Sequence, residues 1–467
     1  MMTLSLAARN LLRNRRRSLA TVLALAIGAT AVLLFGGYSA DIRYTLLTDY
    51  VQTGGHLQVQ HKDFFLFGNG NPTAYGLADY GKVVKAVQRD PVLKDKVKVV
   101  SPVLQFGGLA GNYAAGVSRP VMGLGYVAAD VARMRQWNEY GLPPISVPYR
   151  LVDAPEDAVI VGVGVARVLL LCDQLKVPNC PKPLVSEAAP PKGATLPDDI
   201  AALTGGDAPS PGASAAPGAT KIELLATQPR GTPNVAALTV LAAEDQGYKE
   251  LDEVTVKLQL SQAQRLVYGR GEPKATAIML QLEHTADIPE AAARLRQLLD
   301  ETMPGHALTV LDFKQVNPFY GETVSLFNTI FGFIFVLIGG IVLFTVSNTM
   351  MTAVMERTNE IGTVRAVGLR QAGIRKLFVT EGVMLGCVGA FVGVAMALLL
   401  AWGVNSLQLT WLPPGSSTPL PLTVRVFGEF GMILSTTVGL ILVATLSAWL
   451  PAWRAAKLSI VDALRHV

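Results

Sequence analysis

Charge is scarce in this chain: of 467 residues only 16% are Asp, Glu, Lys or Arg, while half are hydrophobic. A soluble globular protein carries closer to a quarter charged residues, and the mean hydropathy of +0.37 points the same way. Three cysteines exclude a disulfide-dense scaffold. The five histidines (His56, His61, His284, His306 and His466) show no ligand spacing and no accompanying cysteine cluster, so no metal site is expected. A complete nucleotide-binding Gly-x-x-x-x-Gly-Lys-Ser/Thr is also lacking. The nearest approach, Gly76 to Gly81-Lys82, is followed by Val83 where a hydroxyl would hold Mg²⁺. Gly162-Val-Gly164-Val-Ala-Arg167 lacks the third glycine of a dinucleotide fingerprint and reads better as a helix start after a strand at 158–161. Neither a nucleophile elbow nor a zinc-protease helix motif occurs, so no catalytic residue is assigned and the chain is not expected to be an enzyme.

What the chain does have is long apolar runs. Crossing a hydrocarbon core of about 30 Å takes roughly 20 apolar residues as a helix. Four segments qualify: 19–38, 325–350, 377–404 and 427–450. Basic residues mark the faces. Arg9, Arg13, Arg15, Arg16 and Arg17 precede the first run. Arg357, Arg365, Arg370, Arg375 and Lys376 lie between the second and third, and Arg454, Lys457 and Arg465 follow the fourth. The 405–426 loop has Arg425 alone. The predicted fold class is therefore a membrane α-helical protein with four transmembrane helices and cytoplasmic N and C termini. A large extracytoplasmic α/β domain is inserted between the first and second helices. Residues 1–18 form a cytoplasmic N-terminal helix, 351–376 a cytoplasmic loop, 405–426 a short outer loop and 451–467 a cytoplasmic tail. The first apolar run exceeds the core of a secretory signal, and Tyr38-Ser39-Ala40 is a poor cleavage site, so it is expected to be retained. The sequence pI of about 9 follows from this topology and does not imply a nucleic-acid partner.

The external region, 39–324, shows β-α-β patterning at both ends: strand, helix and strand at 56–60, 80–89 and 97–106, and again at 275–282, 290–303 and 307–312, with Asp287 placed to cap the last helix. Both flanks are expected to build one membrane-proximal α/β subdomain, with the intervening chain forming an outer one. Residues 181–220, rich in Pro, Gly, Ala and Ser, offer little to bury and read as a flexible loop. Cys172 and Cys180 are near enough to bridge, and an oxidising compartment would permit a disulfide. Their spacing leaves the bonded and free states open.

Two features of the apolar half carry more information. Gly382, Gly386, Gly389 and Gly393 repeat at the small-xxx-small spacing that lets helices approach closely in lipid. Glu381, at the inner end of the same run, can reach the interface and suits an anchoring or interhelical role better than ion transport. Cys387 reads as a small packing residue. The second feature is Glu356–Gly368, a charged segment at the turn of a transmembrane hairpin. As a helix it places Glu356, Arg357, Glu360 and Arg365 on its polar sides, with Ile361, Val364 and Val367 as apolar contacts. Its two acidic residues are not required by the positive-inside bias, which favours an interaction surface over a solvated loop.

The run Asn348-Thr-Met-Met, then Glu356-Arg-Thr-Asn-Glu-Ile-Gly-Thr-Val-Arg-Ala-Val-Gly368, then Ile374-Arg-Lys-Leu-Phe378 and Glu381-Gly-Val-Met-Leu-Gly386, resembles the permease domain of the FtsX/MacB superfamily of ABC transporters. Pro451-Ala-Trp-Arg-Ala-Ala-Lys-Leu458 and Val461-Asp-Ala-Leu-Arg465 resemble its C-terminal signature, although Ile460 and Asp462 stand where the family usually has proline and glutamate. Ala8 to Ser18 resembles its amphipathic N-terminal helix. The resemblance implies a bacterial inner-membrane, mechanotransmitting permease with its large domain in the periplasm. Two separate ATPase subunits would bind ATP and Mg, leaving no cofactor in this chain. A second permease copy or paralogue, membrane lipids and a periplasmic carrier or adaptor are the other implied partners. Glu356, Arg357, Glu360, Ile361, Gly362, Arg365, Ala366 and Gly368 would form the ATPase-coupling helix. The implied activity is extrusion or release of a lipoprotein, peptide or amphiphilic molecule. The alternative is an FtsX-like scaffold that activates an envelope hydrolase. A membrane sensor without an ATPase is the third reading, and the coupling segment argues against it.

Overall fold

The computed structural model describes residues 2–13, 15–68, 70–143, 148–180, 220–228, 231–412, 415–416 and 419–457. The expected 181–220 loop therefore lies, but for Thr220, outside the described residues, as do His466 and the signature residues from Leu458 onward. The chain forms two units: Met1–Leu47 with Pro318–Trp411 and Pro419–Val467, and Thr48–Asn317 with Leu412–Thr418.

The first unit is helical. Helix α1 (Met2–Arg13) leads into α2 (Arg15–Gly54); α3 (Pro318–Glu356), the short α4 (Thr358–Ala366), α5 (Gln371–Ser406) and α6 (Phe430–Lys457) follow. α2, α3, α5 and α6 are each long and apolar enough to cross a membrane; the first three overrun at both ends the apolar runs that predict them, while α6 starts only at Phe430, inside the 427–450 run. α6 continues through Pro451, where a tail had been expected to start. The N-terminal helix, expected to reach residue 18, ends at Arg13. Leu25, Ala29, Val342, Val346, Leu385, Leu440, Ala444 and Ala448 form the common core. Small residues set the helix spacing. A Cβ on Gly382 would run into Ala448, and one on Gly386 would stand 3.0 Å from Ala444 Cβ. On Gly389 it would lie 2.5 Å from Leu25 Cβ, and on Gly393 it would meet Ala29. The four glycines thus serve two neighbours, α6 for the first two and α2 for the last two. Cys387 is exposed rather than packed.

The second unit carries nine strands: β1 (Leu57–His61), β2 (Val97–Asn112), β3 (Val117–Tyr126), β4 (Ala158–Gly162), β5 (Lys221–Thr227), β6 (Pro233–Glu244), β7 (Thr255–Gln259), β8 (Ala277–Leu282) and β9 (Leu308–Asp312). They form one sheet in the order β3-β7-β4-β6-β5-β2-β8-β1-β9, with β3 also paired to β2. That extra pairing closes β2, β3, β7, β4, β6 and β5 into a ring. Closure removes the unpaired edges an open sheet would expose. The ring packs Phe106, Val161, Ile222, Leu224, Leu238, Val256 and Leu258 in its core.

The sequence pattern ends β2 near 106, but the strand runs sixteen residues. Its first half pairs with β8 (Val97–Val103 against Leu282–Ala277) and its second half with β5. The flanks of the region therefore share one layer, β2-β8-β1-β9. Helices Tyr80–Arg89 and Ile288–Thr302 cover it through Val83, Val87, Leu295 and Leu299. The middle of the chain is continuous with that layer through β2, so the two expected subdomains are two parts of one sheet. Asp287 occupies the N-cap position of Ile288–Thr302, but its carboxylate makes no cap and instead accepts from Lys96 Nζ at 2.8 Å. Cys172 and Cys180 are disulfide-bonded, with Cα atoms 6.2 Å apart. The 405–426 loop is not a plain connection. Thr410–Trp411 pairs with Leu420–Pro421, and in the second unit Ser416 forms a bridge with Tyr248.

Candidate functional site

The charged segment between α3 and α5 is not one helix. α3 runs through Glu356, Arg357 breaks the run with φ −105° and ψ 16°, and α4 begins at Thr358. α4 ends before Gly368, whose φ of +108° suits a residue without Cβ. Ile361 and Gly362 are buried, and Ile361 clusters with Val354, Ile374, Phe378, Ala452 and Ala455.

Arg357, expected on a polar side, is turned inward. Its side chain is 8% exposed and pairs with Glu381, 3% exposed, at 3.2 Å. The reason is energetic: a carboxylate that deep in an apolar helix bundle needs a cation, and Arg357 is within reach. Asn10 Nδ2 also donates to Glu381 Oε1, at 2.6 Å. The expected interhelical role of Glu381 thus corresponds to contacts with α1 and with the α3–α4 break. Glu360 accepts from Arg13 Nη2 at 2.7 and 2.9 Å, and Glu356 is paired with Arg17. Val364 and Val367, expected to make apolar contacts, are instead 46% and 85% exposed, beside exposed Leu369. Ala366 and Gly368 are also on the surface, and Arg365 is half-buried.

The segment therefore divides in two. Arg357, Ile361 and Gly362 hold it to the bundle, while Val364, Ala366, Val367 and Leu369 present an apolar patch outward. Sequence reasoning missed Asn10, Arg13 and Arg17 as partners. A usable signal was there, since Arg13 and Arg17 are four apart, as are Glu356 and Glu360.

The two glycine motifs sit at helix starts. Lys82 pairs with Asp79 at 3.0 Å beside a helix that starts at Tyr80, and Gly162 is the N-cap of helix Val163–Val168. Among the described residues no three His, Cys, Asp or Glu side chains gather as metal ligands. His56 is buried. Its Nδ1 accepts from the Leu282 amide at 3.0 Å, which places the ring proton on Nε2, and burial lowers its pKa to about 4.

Residues 329–460 match the FtsX-like permease C-terminal family. The lipoprotein-releasing system transmembrane protein LolC of Xylella fastidiosa is 25% identical over 252 residues, covering 51% of this chain and 58% of LolC. The macrolide export ATP-binding/permease protein MacB of Escherichia coli K12 is 37% identical over 143 residues, or 31% of this chain and 20% of MacB. The chain thus spans little more than half of the first relative and a fifth of the second. The extracellular domain of the noncanonic ABC-type transporter YknZ from Gram-positive bacteria aligns over 55% of this chain and 99% of that domain. Its TM-score is 0.30 at 10% identity, too loose to define a shared fold.

Proposed function

Because the chain is a permease of the FtsX, LolC and MacB type, we propose that it is the membrane subunit of an ABC transporter driven by a separate ATPase. The observation that carries this reading is the outward patch at the end of α4 and just beyond it, Val364, Ala366, Val367 and Leu369, on a short segment between two long apolar helices. Exposed aliphatic residues next to half-buried Arg365 suit a protein partner better than water. α4 then faces the cytoplasm, in agreement with the basic residues around it, and Thr48–Asn317 lies in the periplasm of a bacterial inner-membrane protein. ATP and Mg belong to two partner ATPases, which leaves this chain non-catalytic. A second permease copy or paralogue completes the assembly, and a periplasmic carrier or adaptor is a further partner. Movement of α4 passes along α3 and α5 and expels a lipoprotein, peptide or other amphiphile. Such a cargo needs no hydrophilic channel.

The test is association with the ATPase. Val367→Asp should abolish co-purification of the ATPase while the permease remains folded and membrane-inserted. Full ATPase recruitment and transport by both Val367→Asp and Val364→Asp would rule out this docking surface.

A further inference from the structure

A polar seam crosses the helical unit where small-residue packing alone would have sufficed. Arg13 of α1 holds both carboxylate oxygens of Glu360 on α4, and Arg17 at the start of α2 holds Glu356 at the end of α3. Between these exposed pairs lies a closed triangle in which Arg357 and Glu381 are buried and Asn10 half-buried. Asn10 Nδ2 and Arg357 Nη1 both donate to Glu381 Oε1, at 2.6 and 3.2 Å. Arg357 Nη2 then donates back to the Asn10 carbonyl at 3.3 Å. α1, α4 and the facing ends of α2, α3 and α5 all contribute.

The spacing fixes how these parts meet. Two arginines four residues apart face two glutamates four residues apart in reversed order, so Arg13 meets Glu360 and Arg17 meets Glu356. The exposed pairs are weak by themselves, with Arg13 and Glu360 each 55% exposed. The triangle is different, because separating it leaves a carboxylate and a guanidinium uncompensated in apolar surroundings. Lifting α4 away from α1 would break the Arg13–Glu360 pair and pull Arg357, at the start of α4, from the Asn10 carbonyl, while the Asn10–Glu381 bond ties α1 to α5 and the Arg17–Glu356 pair ties α2 to α3.

We propose that α1 is a clasp on α4: the two helices move as one body when α4 is driven, and α1 is thereby part of the element on which the ATPase acts. The driving force rests on the docking reading above, but the clasp is a property of this chain alone.

The experiment is a paired-cysteine crosslink in the full chain, in native membranes and in the complex with its ATPase. Arg13→Cys/Glu360→Cys should crosslink to the same yield with and without ATP, and the crosslinked complex should keep its ATP hydrolysis rate. In parallel, Arg13→Glu should lower that rate several-fold, and Arg13→Glu/Glu360→Arg should restore it. Absence of that crosslink in membranes overturns the clasp whether or not an ATPase assembles. Loss of hydrolysis on crosslinking overturns it too, since the helices must then part. Failure of the ATPase to assemble with the unmodified chain defeats the docking reading and leaves the crosslink yield to decide the clasp.

Discussion

Arg357 shows how a single side chain can change role once its surroundings are known. In sequence it belongs to a charged run and reads as surface. Folded, it is the only cation paired with Glu381 among the described residues. Glu381→Gln should therefore destabilise the helical unit by about 3–5 kcal/mol, because it strands a buried guanidinium. Arg357→Met/Glu381→Met should recover most of that loss, and thermal unfolding in detergent would measure both. His56 makes a second prediction at this scale. Its folded pKa of about 4 lies below the ordinary 6.5, so between these values the unfolded chain binds a proton that the folded chain refuses. Stability is intact above pH 6.5 and falls as the pH drops toward 4, by up to about 3 kcal/mol. Denaturation at pH 7 and pH 4.5 should show this loss, and His56→Gln should reduce it.

At the scale of elements, the four apolar helices were readable because hydrophobic length is a strong signal that burial cannot disguise. The helix at Tyr80–Arg89 was readable to the residue, since Val83 and Val87 lie four apart on one face. The break at Arg357 was not readable, because it depends on a carboxylate 24 residues away. The small-residue repeat in α5 was visible as a pattern, but the division of its partners between α6 and α2 was not, since spacing does not name the neighbour. That division is testable. Gly382→Val and Gly393→Val should each push helices apart and cost about 1–3 kcal/mol. Gly332→Ala on α3, where a Cβ would meet nothing within 4 Å, should be neutral or stabilising by up to about 1 kcal/mol. Detergent melting of the three variants would discriminate.

For the whole molecule, the closed ring of the second unit was the least predictable part. It needs β3 to meet both β2 and β7, and β7 lies some 130 residues further along the chain (Met122 pairs with Thr255). Local alternation cannot reveal such a pairing. The two units also differ in what holds them: apolar helix packing in one, a strand ring with its own core in the other. Denaturant unfolding in detergent should consequently resolve two transitions rather than one. The strand signal should be lost first, because urea solvates the exposed unit while detergent shields the helical one.

The seam between α1 and α4 also bears on how the chain is made. Asn10 precedes its partner Glu381 by 371 positions, and Arg13 precedes Glu360 by 347. The polar contacts of α1 are therefore complete only once α4 and α5 are in place. A truncated or mis-threaded chain would leave α1 displayed to the quality-control proteases of the membrane.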